Sequence, residues 1–335
     1  MLIPHQKLTV KPRDIFSGFF RHKHDFSKYI PRKMNFVGSG RAGLWLILKD
    51  IKSVGIPSFT CKVVLDSILT SKTKPDFIDS GIIPEIEDYK GEALILPYNF
   101  GFLPDIDKIR KICKKNNVIL IEDCAQALGA KYKGELVGNF GDYSVFSFGI
   151  SKNIGFLGGL VNKEVNLRKY PKGKVIHLML KGLFGNLFFN PKFYSRKMLD
   201  SELVKDYEML LYSMDNYSKN VVMNIYKRYN EILKTRRENA EICIEELDGV
   251  IDFVRPLKNT EPSWLYFVLT DKNRDSIIKK LLNEKVDLTP LLSFKDLSGR
   301  GKKAGKAEKE HFVFALYRNR EEIDFIIKKI KKIMR

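Results

Sequence analysis

From Asn35 to Leu160 the chain alternates short apolar runs with amphipathic stretches, and no other feature restricts its fold so tightly. Strands read at residues 34–37, 55–57, 75–79, 93–97, 118–122, 143–148 and 160–162. Helices read between them at 41–51, 62–70 and 105–116, the last with Ile106, Ile109 and Ile112 along one side. An apolar run such as Val118-Ile119-Leu120-Ile121 suits a strand buried on both faces. The alternation predicts an α/β fold, a three-layer, mostly parallel sheet with helices on both faces.

Residues 1–35 read as a basic, irregular arm with one short helix. After Lys163 the rhythm changes. The apolar run 175–189 is too short to span a bilayer and leaves three readings open: buried core, subunit interface, or a helix lying on a membrane with Lys181 and Lys192 toward the head groups. Residues 216–247 read as one long helix, whole or broken. Strands at 251–255 and 264–270 and helices at 274–284 and 323–334 follow, with 298–309 as a mobile Gly- and Lys-rich loop. This predicts a large domain over 1–240 and a smaller C-terminal α/β domain over 241–335.

Four scattered cysteines, with no C-x-x-C and no His–Cys cluster, argue against a disulfide frame and a zinc site. The first residues carry no apolar signal core, and no apolar run reaches membrane-span length, so the expected location is cytoplasmic. The net charge of +19 is diffuse and lacks the aromatic interleaving of a nucleic-acid groove. A solvated surface or attraction of an anionic substrate explains it better than nucleic acid or lipid.

The chemistry concentrates in three segments. Gly38-Ser39-Gly40-Arg41-Ala42-Gly43 follows a strand and opens a helix, a turn that points N–H groups at an anion. It spells G-x-G-x-x-G, but residues 56–61 lack the carboxylate a dinucleotide ribose requires, so a single phosphate suits it better. Asp123 ends an apolar strand, where ligands of open α/β sheets gather, although it could simply cap a helix. Lys152 lies in Phe146-Ser147-Phe148-Gly149-Ile150-Ser151-Lys152, flanked by glycines. A lysine amine that condenses with an aldehyde, and a carboxylate that keeps a pyridine nitrogen protonated, are what pyridoxal phosphate requires of a protein. Ser147 could donate to its phosphate and Gln126 could reach its phenolic oxygen.

These segments, together with Pro57–Cys61, Leu96–Ile106 and the hairpin 132–138, resemble the DegT/DnrJ/EryC1/StrS aminotransferases, fold-type-I pyridoxal phosphate enzymes acting on nucleotide-linked keto sugars. The resemblance runs in order from about Asn35 to Asn162 and is faint after Lys163. It implies that Lys152 and Asp123 are the catalytic pair, and that Gly40, Arg41, Cys61, Gln126 and Ser147 bind the cofactor. Cys61 falls where the family usually stacks an aromatic ring, with Phe59 as a substitute cover. A homodimer is implied, with an Asn-x-Arg stretch lent by the neighbouring subunit. That stretch is not recognisable near 212–216, where Asn216 is the nearest candidate. An amino donor, expected to be glutamate, and a nucleotide-linked keto sugar are the implied substrates. A cofactor-binding protein without turnover and a dinucleotide-dependent oxidoreductase are the alternatives.

Overall fold

A computed structural model describes residues 2–20, 22–171, 173, 175–176, 179–180, 183 and 211–335. Its centre is a seven-stranded sheet. In chain order the strands are β1 (Asn35–Val37), β2 (Ser53–Pro57), β4 (Lys74–Ile78), β5 (Ala93–Pro97), β6 (Ile119–Asp123), β9 (Tyr143–Ser147) and β10 (Gly159–Val161). They lie side by side in the order β1-β10-β9-β6-β5-β2-β4, while β3 (Phe59–Cys61) pairs with β13 (Phe294–Asp296), and β7 (Lys131–Tyr132), β8 (Glu135–Leu136) and β11 (Thr260–Glu261) form a small sheet of their own. The pairings from β9 through β6, β5 and β2 to β4 are parallel, while β10 runs against both its neighbours.

The two faces separate residue by residue. Ala93, Ile95, Ile121, Val145 and Val161 pack with Leu44 and Leu48 of helix α2 (Gly40–Leu48) and with Val64 and Ile68 of α3 (Lys62–Thr70). Their chain neighbours Leu94, Leu96, Leu120, Phe146 and Leu160 pack on the other face, with Ile106 and Ile109 of α4 (Ile106–Asn116). That face also receives Val221 and Ile225 of α5 (Asn216–Lys227). A strand period of two, apolar on both phases, yields this three-layer arrangement.

A further apolar cluster gathers the C-terminal elements. Helix α6 (Tyr229–Leu247) gives Ile232 and Leu233 to the large sheet's core and Ala240, Cys243 and Leu247 to this second core. There they meet the antiparallel pair β12 (Tyr266–Thr270) and β14 (His311–Ala315). Helices α7 (Arg274–Asn283), α8 (Lys302–Glu310) and α9 (Arg320–Met334) pack around the pair. The N-terminal arm, with helix α1 (Pro12–Ser17), crosses between the cores. Ile3 bonds to Lys285 and Asp287, and farther along Thr9 accepts from the Gly155 N–H at 2.8 Å.

Several expectations are corrected. Residues 298–309 are mostly helix: the Asp79 carboxylate accepts from the N–H groups of Lys302, Lys303 and Ala304 and caps α8 from the far end of β4. Residues 251–255 form no strand, only a bridge from Phe253 to Leu269. The buried strand β14 was missed. Of the two readings left open for 216–247, the broken helix is the one observed: it breaks at Arg228, whose guanidinium forms a buried ion pair with Asp14 and donates to the Thr9 carbonyl. Most of the run 175–189, including Lys181, lies outside the described residues, as does Lys192.

Candidate active site

The predicted site residues come from the carboxyl ends of the parallel strands and the turns after them. Asp123 closes β6 and Ser147 closes β9, each two residues beyond a side chain packed toward α2 and α3, so both face that side. Register places Asp123 opposite Val145 on one side and Pro97 on the other.

Helix α2 begins against this edge. Ser39 is its N-cap, accepting from the Ala42 N–H at 3.1 Å. The first-turn N–H groups of a helix have no carbonyl of their own and carry the positive end of its dipole. A Cβ on Gly40 would stand 2.9 Å from the Ser147 Cβ and 3.3 Å from its Oγ, so only glycine brings the helix this near the serine. Arg41 is half-buried at the rim beside Tyr170, where its charge acts on the phenol. Tyr170 donates to the Gly38 carbonyl at 2.9 Å, and the Gly38 N–H donates to the Tyr212 carbonyl at 2.6 Å. These two tyrosines steady the glycine loop. Sequence reasoning missed them because both lie beyond the segment whose motifs were legible.

Lys152 sits in a tight turn. Its N–H donates to the Gly149 carbonyl at 2.8 Å, and the loop is closed where the Phe156 N–H bonds to Phe148. The turn brings the lysine toward Asp123. Burial pushes the Asp123 carboxyl above its ordinary range, while the Lys152 charge and the Ala125 N–H, at 3.0 Å, pull the other way. The neighbouring acid behaves differently. Glu122 points to the opposite face and accepts from the Tyr98 hydroxyl and from the N–H groups of Gly138, Phe140 and Gly141, all at 2.7–2.8 Å. Glu122 is therefore a structural anchor, whereas Asp123 is buried with, among the described residues, one backbone donor and a lysine.

Gln126 is buried, and its Oε1 accepts the Phe100 N–H at 2.6 Å. Because an N–H can only donate, the amide orientation is set and Nε2 remains as the donor. Phe100 holds a left-handed φ of 57° to reach it, an uncommon conformation for an aromatic residue. Cys61 is half-buried at the end of β3 (Phe59–Cys61). It pairs in register with Phe294 and packs against the second core, while the neighbouring Thr60 hydroxyl bonds to Asn99. Phe59 does not serve as the substitute cover. Its ring is fully buried against Phe100, Phe294 and His311 in the second core. Asn216 is exposed in the first turn of α5.

A separate surface cleft of about 660 Å³ is lined by Glu87, Asp107, Lys108, Tyr132 and Leu257. Of its acids, Glu87 pairs with Lys108 and Asp107 with Lys133, Asp105 caps α4 and accepts from the Tyr132 hydroxyl, and none of the site residues lines it.

The residues suit pyridoxal phosphate: a glycine cradle at a helix N-terminus for the phosphate, a buried carboxylate for the ring nitrogen, and a lysine beside it. A three-layer, mostly parallel sheet with this constellation at its carboxyl edge defines a pyridoxal phosphate-dependent transferase. Residues 37–297 match the DegT/DnrJ/EryC1/StrS aminotransferase family, and the chain belongs to it. It is a pyridoxal phosphate-dependent sugar aminotransferase. Among curated proteins it is similar to the GDP-perosamine synthase of Vibrio cholerae, 25% identical over 81% of this chain and 75% of that protein. It also resembles the UDP-N-acetyl-3-dehydro-alpha-D-glucosamine 3-aminotransferase of Acidithiobacillus ferrooxidans, 33% identical over 40% of this chain and 41% of that one. Among solved structures, the sugar aminotransferase CalS13 of Micromonospora echinospora shares the fold at a TM-score of 0.72. Identity there is 18%, covering 99% of this chain and all of the other.

Proposed function

We propose that this chain moves an amino group from an amino acid donor, glutamate by expectation, onto a keto sugar carried by a nucleotide, for a surface polysaccharide or another glycan. Lys152 and Asp123 are its catalytic residues in this reading. The observation that carries it is the buried Asp123 carboxyl acted on by the Lys152 charge at the carboxyl edge of the sheet. The relatives named for GDP- and UDP-linked sugars support the nucleotide. The charge of +19 supports attraction of a diphosphate.

When bound, pyridoxal phosphate supplies an aldehyde for Lys152 and a cationic ring that accepts electrons. Asp123 holds the ring nitrogen protonated through a charge-assisted hydrogen bond. Gln126 donates from Nε2 to the phenolic oxygen. Gly40, Ser147 and the first turn of α2 hold the phosphate, with Arg41 adding charge at the rim. Cys61 borders the ring face. The Lys152 Nζ, free of the aldehyde, would be the base that takes the proton from the donor's α-carbon. In the return half-reaction it delivers a proton to the sugar carbon that receives the amine.

The same reading makes the protein a cytoplasmic homodimer, with Asn216 reaching a neighbour's phosphate cradle. It places the domain boundary near Ala240, where α6 passes from one core to the other. A cofactor-binding protein without turnover is the second reading, favoured by Phe59 being buried and leaving Cys61 where an aromatic ring is usual. Incubating the purified enzyme with glutamate and a panel of nucleotide-linked keto sugars separates the two. Formation of an amino sugar, lost in Lys152→Ala, supports the first. A cofactor spectrum that glutamate leaves unchanged supports the second.

A further inference from the structure

Asn153, next to Lys152, is buried, and its Nδ2 donates to the Tyr229 hydroxyl at 2.8 Å. That hydroxyl donates in turn to the Leu128 carbonyl at 2.7 Å. Because a carbonyl only accepts, the phenol's proton goes to Leu128, and Asn153 must present its NH₂ side. Leu128 follows Asp123 and Gln126 on the same short segment. The Tyr229 oxygen on α6 therefore ties the turn that carries Lys152 to the segment that carries Asp123, beside a longer direct bond from Asn153 Nδ2 to the Leu128 carbonyl at 3.5 Å. Tyr229 is itself immobilised: fully buried, with its ring edge-on to Tyr29 at 5.2 Å. The turn is also held where the Gly149 N–H donates to the Ser147 hydroxyl at 3.4 Å, where the Gly155 N–H donates to Thr9, and where Ile154 is buried in the core. A lysine on a glycine-flanked turn has no rigid strand of its own to fix its distance from a carboxylate on β6, so a shared clamp supplies what the turn lacks.

We propose that Tyr229 and Asn153 are positioning residues for amino transfer, setting Lys152 against Asp123 through the shared phenol hydroxyl. The proposal rests on the reading of Lys152 and Asp123 as the cofactor-binding pair. It predicts that loosening the clamp changes how the lysine-bound cofactor titrates and slows proton transfer, while substrate binding is left alone.

The test is a mutant cycle in the full-length holoenzyme: Tyr229→Phe, which keeps the ring, Asn153→Leu, and the double variant. Each is first reduced with borohydride, and the labelled lysine is mapped. If the wild type is not labelled at Lys152, the cofactor reading fails, and this proposal falls with it by a recognisably different result. With Lys152 labelled, the expected outcome for Tyr229→Phe is a midpoint of the cofactor's absorbance-versus-pH titration moved by about half a unit or more. Its kcat should fall about 10-fold, with KM for both substrates within about twofold. The double variant should lose no more than the worse single one, because both remove the same link. Wild-type titration and kcat in Tyr229→Phe, or losses that multiply in the double variant, would overturn it. If Tyr229→Phe does not fold, Asn153→Leu carries the same readouts from the other end of the bond, and an unmoved titration there overturns it equally.

Discussion

Glu122 and Asp123 are chain neighbours on one buried strand, yet Glu122 is gripped by four hydrogen-bond donors on one face of the sheet while Asp123 meets one backbone N–H and a lysine on the other. Strand alternation produces this division. Glu122→Gln replaces a charged acceptor with a group that cannot receive all four donors, and should cost about 3 kcal/mol of stability. Asp123→Asn should do the reverse in the cofactor-free protein. Burial raises the Asp123 carboxyl in the folded chain, so stability falls as pH rises from the unfolded carboxylate's range through the folded one. The variant should melt at or above the wild-type temperature at neutral pH while losing at least about 100-fold in kcat, an electrostatic contribution of the usual size. Calorimetry of the apo forms and steady-state kinetics check both.

His311 sets an acid limit on the second core. Burial, with the Arg274 charge acting the same way, holds it down at about 4 from an ordinary 6.5. Its Nδ1 must carry a proton, because it bonds to the Ala307 carbonyl at 2.8 Å. Between those two pH values the unfolded chain binds a proton that the folded chain refuses. Stability that is complete above about pH 6.5 is therefore lost as pH falls toward 4, by on the order of 3 kcal/mol. His311→Asn keeps a donor for Ala307 and should flatten that part of the curve in urea unfolding between pH 7 and pH 4.

The Asp14–Arg228 pair stitches the N-terminal arm to the break between α5 and α6 with both side chains buried. Asp14→Asn leaves a buried guanidinium without its counter-charge and should cost about 3–5 kcal/mol. Denaturant midpoints with an unchanged slope would register this loss directly.

Gly40 is tested through its neighbour. Gly40→Ala drives a methyl group against the Ser147 Cβ and should weaken cofactor affinity by about 10-fold or more, about 1.4 kcal/mol. Combining it with Ser147→Gly removes the obstructing atoms and should restore part of the affinity, as read by fluorescence titration of pyridoxal phosphate. A double variant weaker than both singles would mean that the close approach is not what the glycine serves.

What was legible in the sequence follows from where the determining forces lie. The strands β5 and β6 and the helices α3 and α4 were readable because their apolar periodicity and turn residues are local. Residues 298–309 were not, because the group capping α8 is Asp79, more than 200 positions away, and no local pattern encodes it. Nor were the opposite roles of Glu122 and Asp123, since both sit at the end of the same apolar run. Their faces are settled only when the neighbouring strands and the 138–141 turn are in place. Phe59 looked free to cover a ring until the second core claimed it. The motifs from Gly40 to Lys152 stand out in the sequence because each is a short local pattern, a glycine turn before a helix, an acid closing an apolar strand and a glycine-flanked lysine.

The most direct test of the central claim is to reduce the holoenzyme with borohydride, digest it and map the covalently attached cofactor by mass spectrometry. The account predicts the label on Lys152 alone, and loss of both label and amino-sugar formation in Lys152→Ala. A label on another lysine, or undiminished amino transfer by Lys152→Ala, would contradict it.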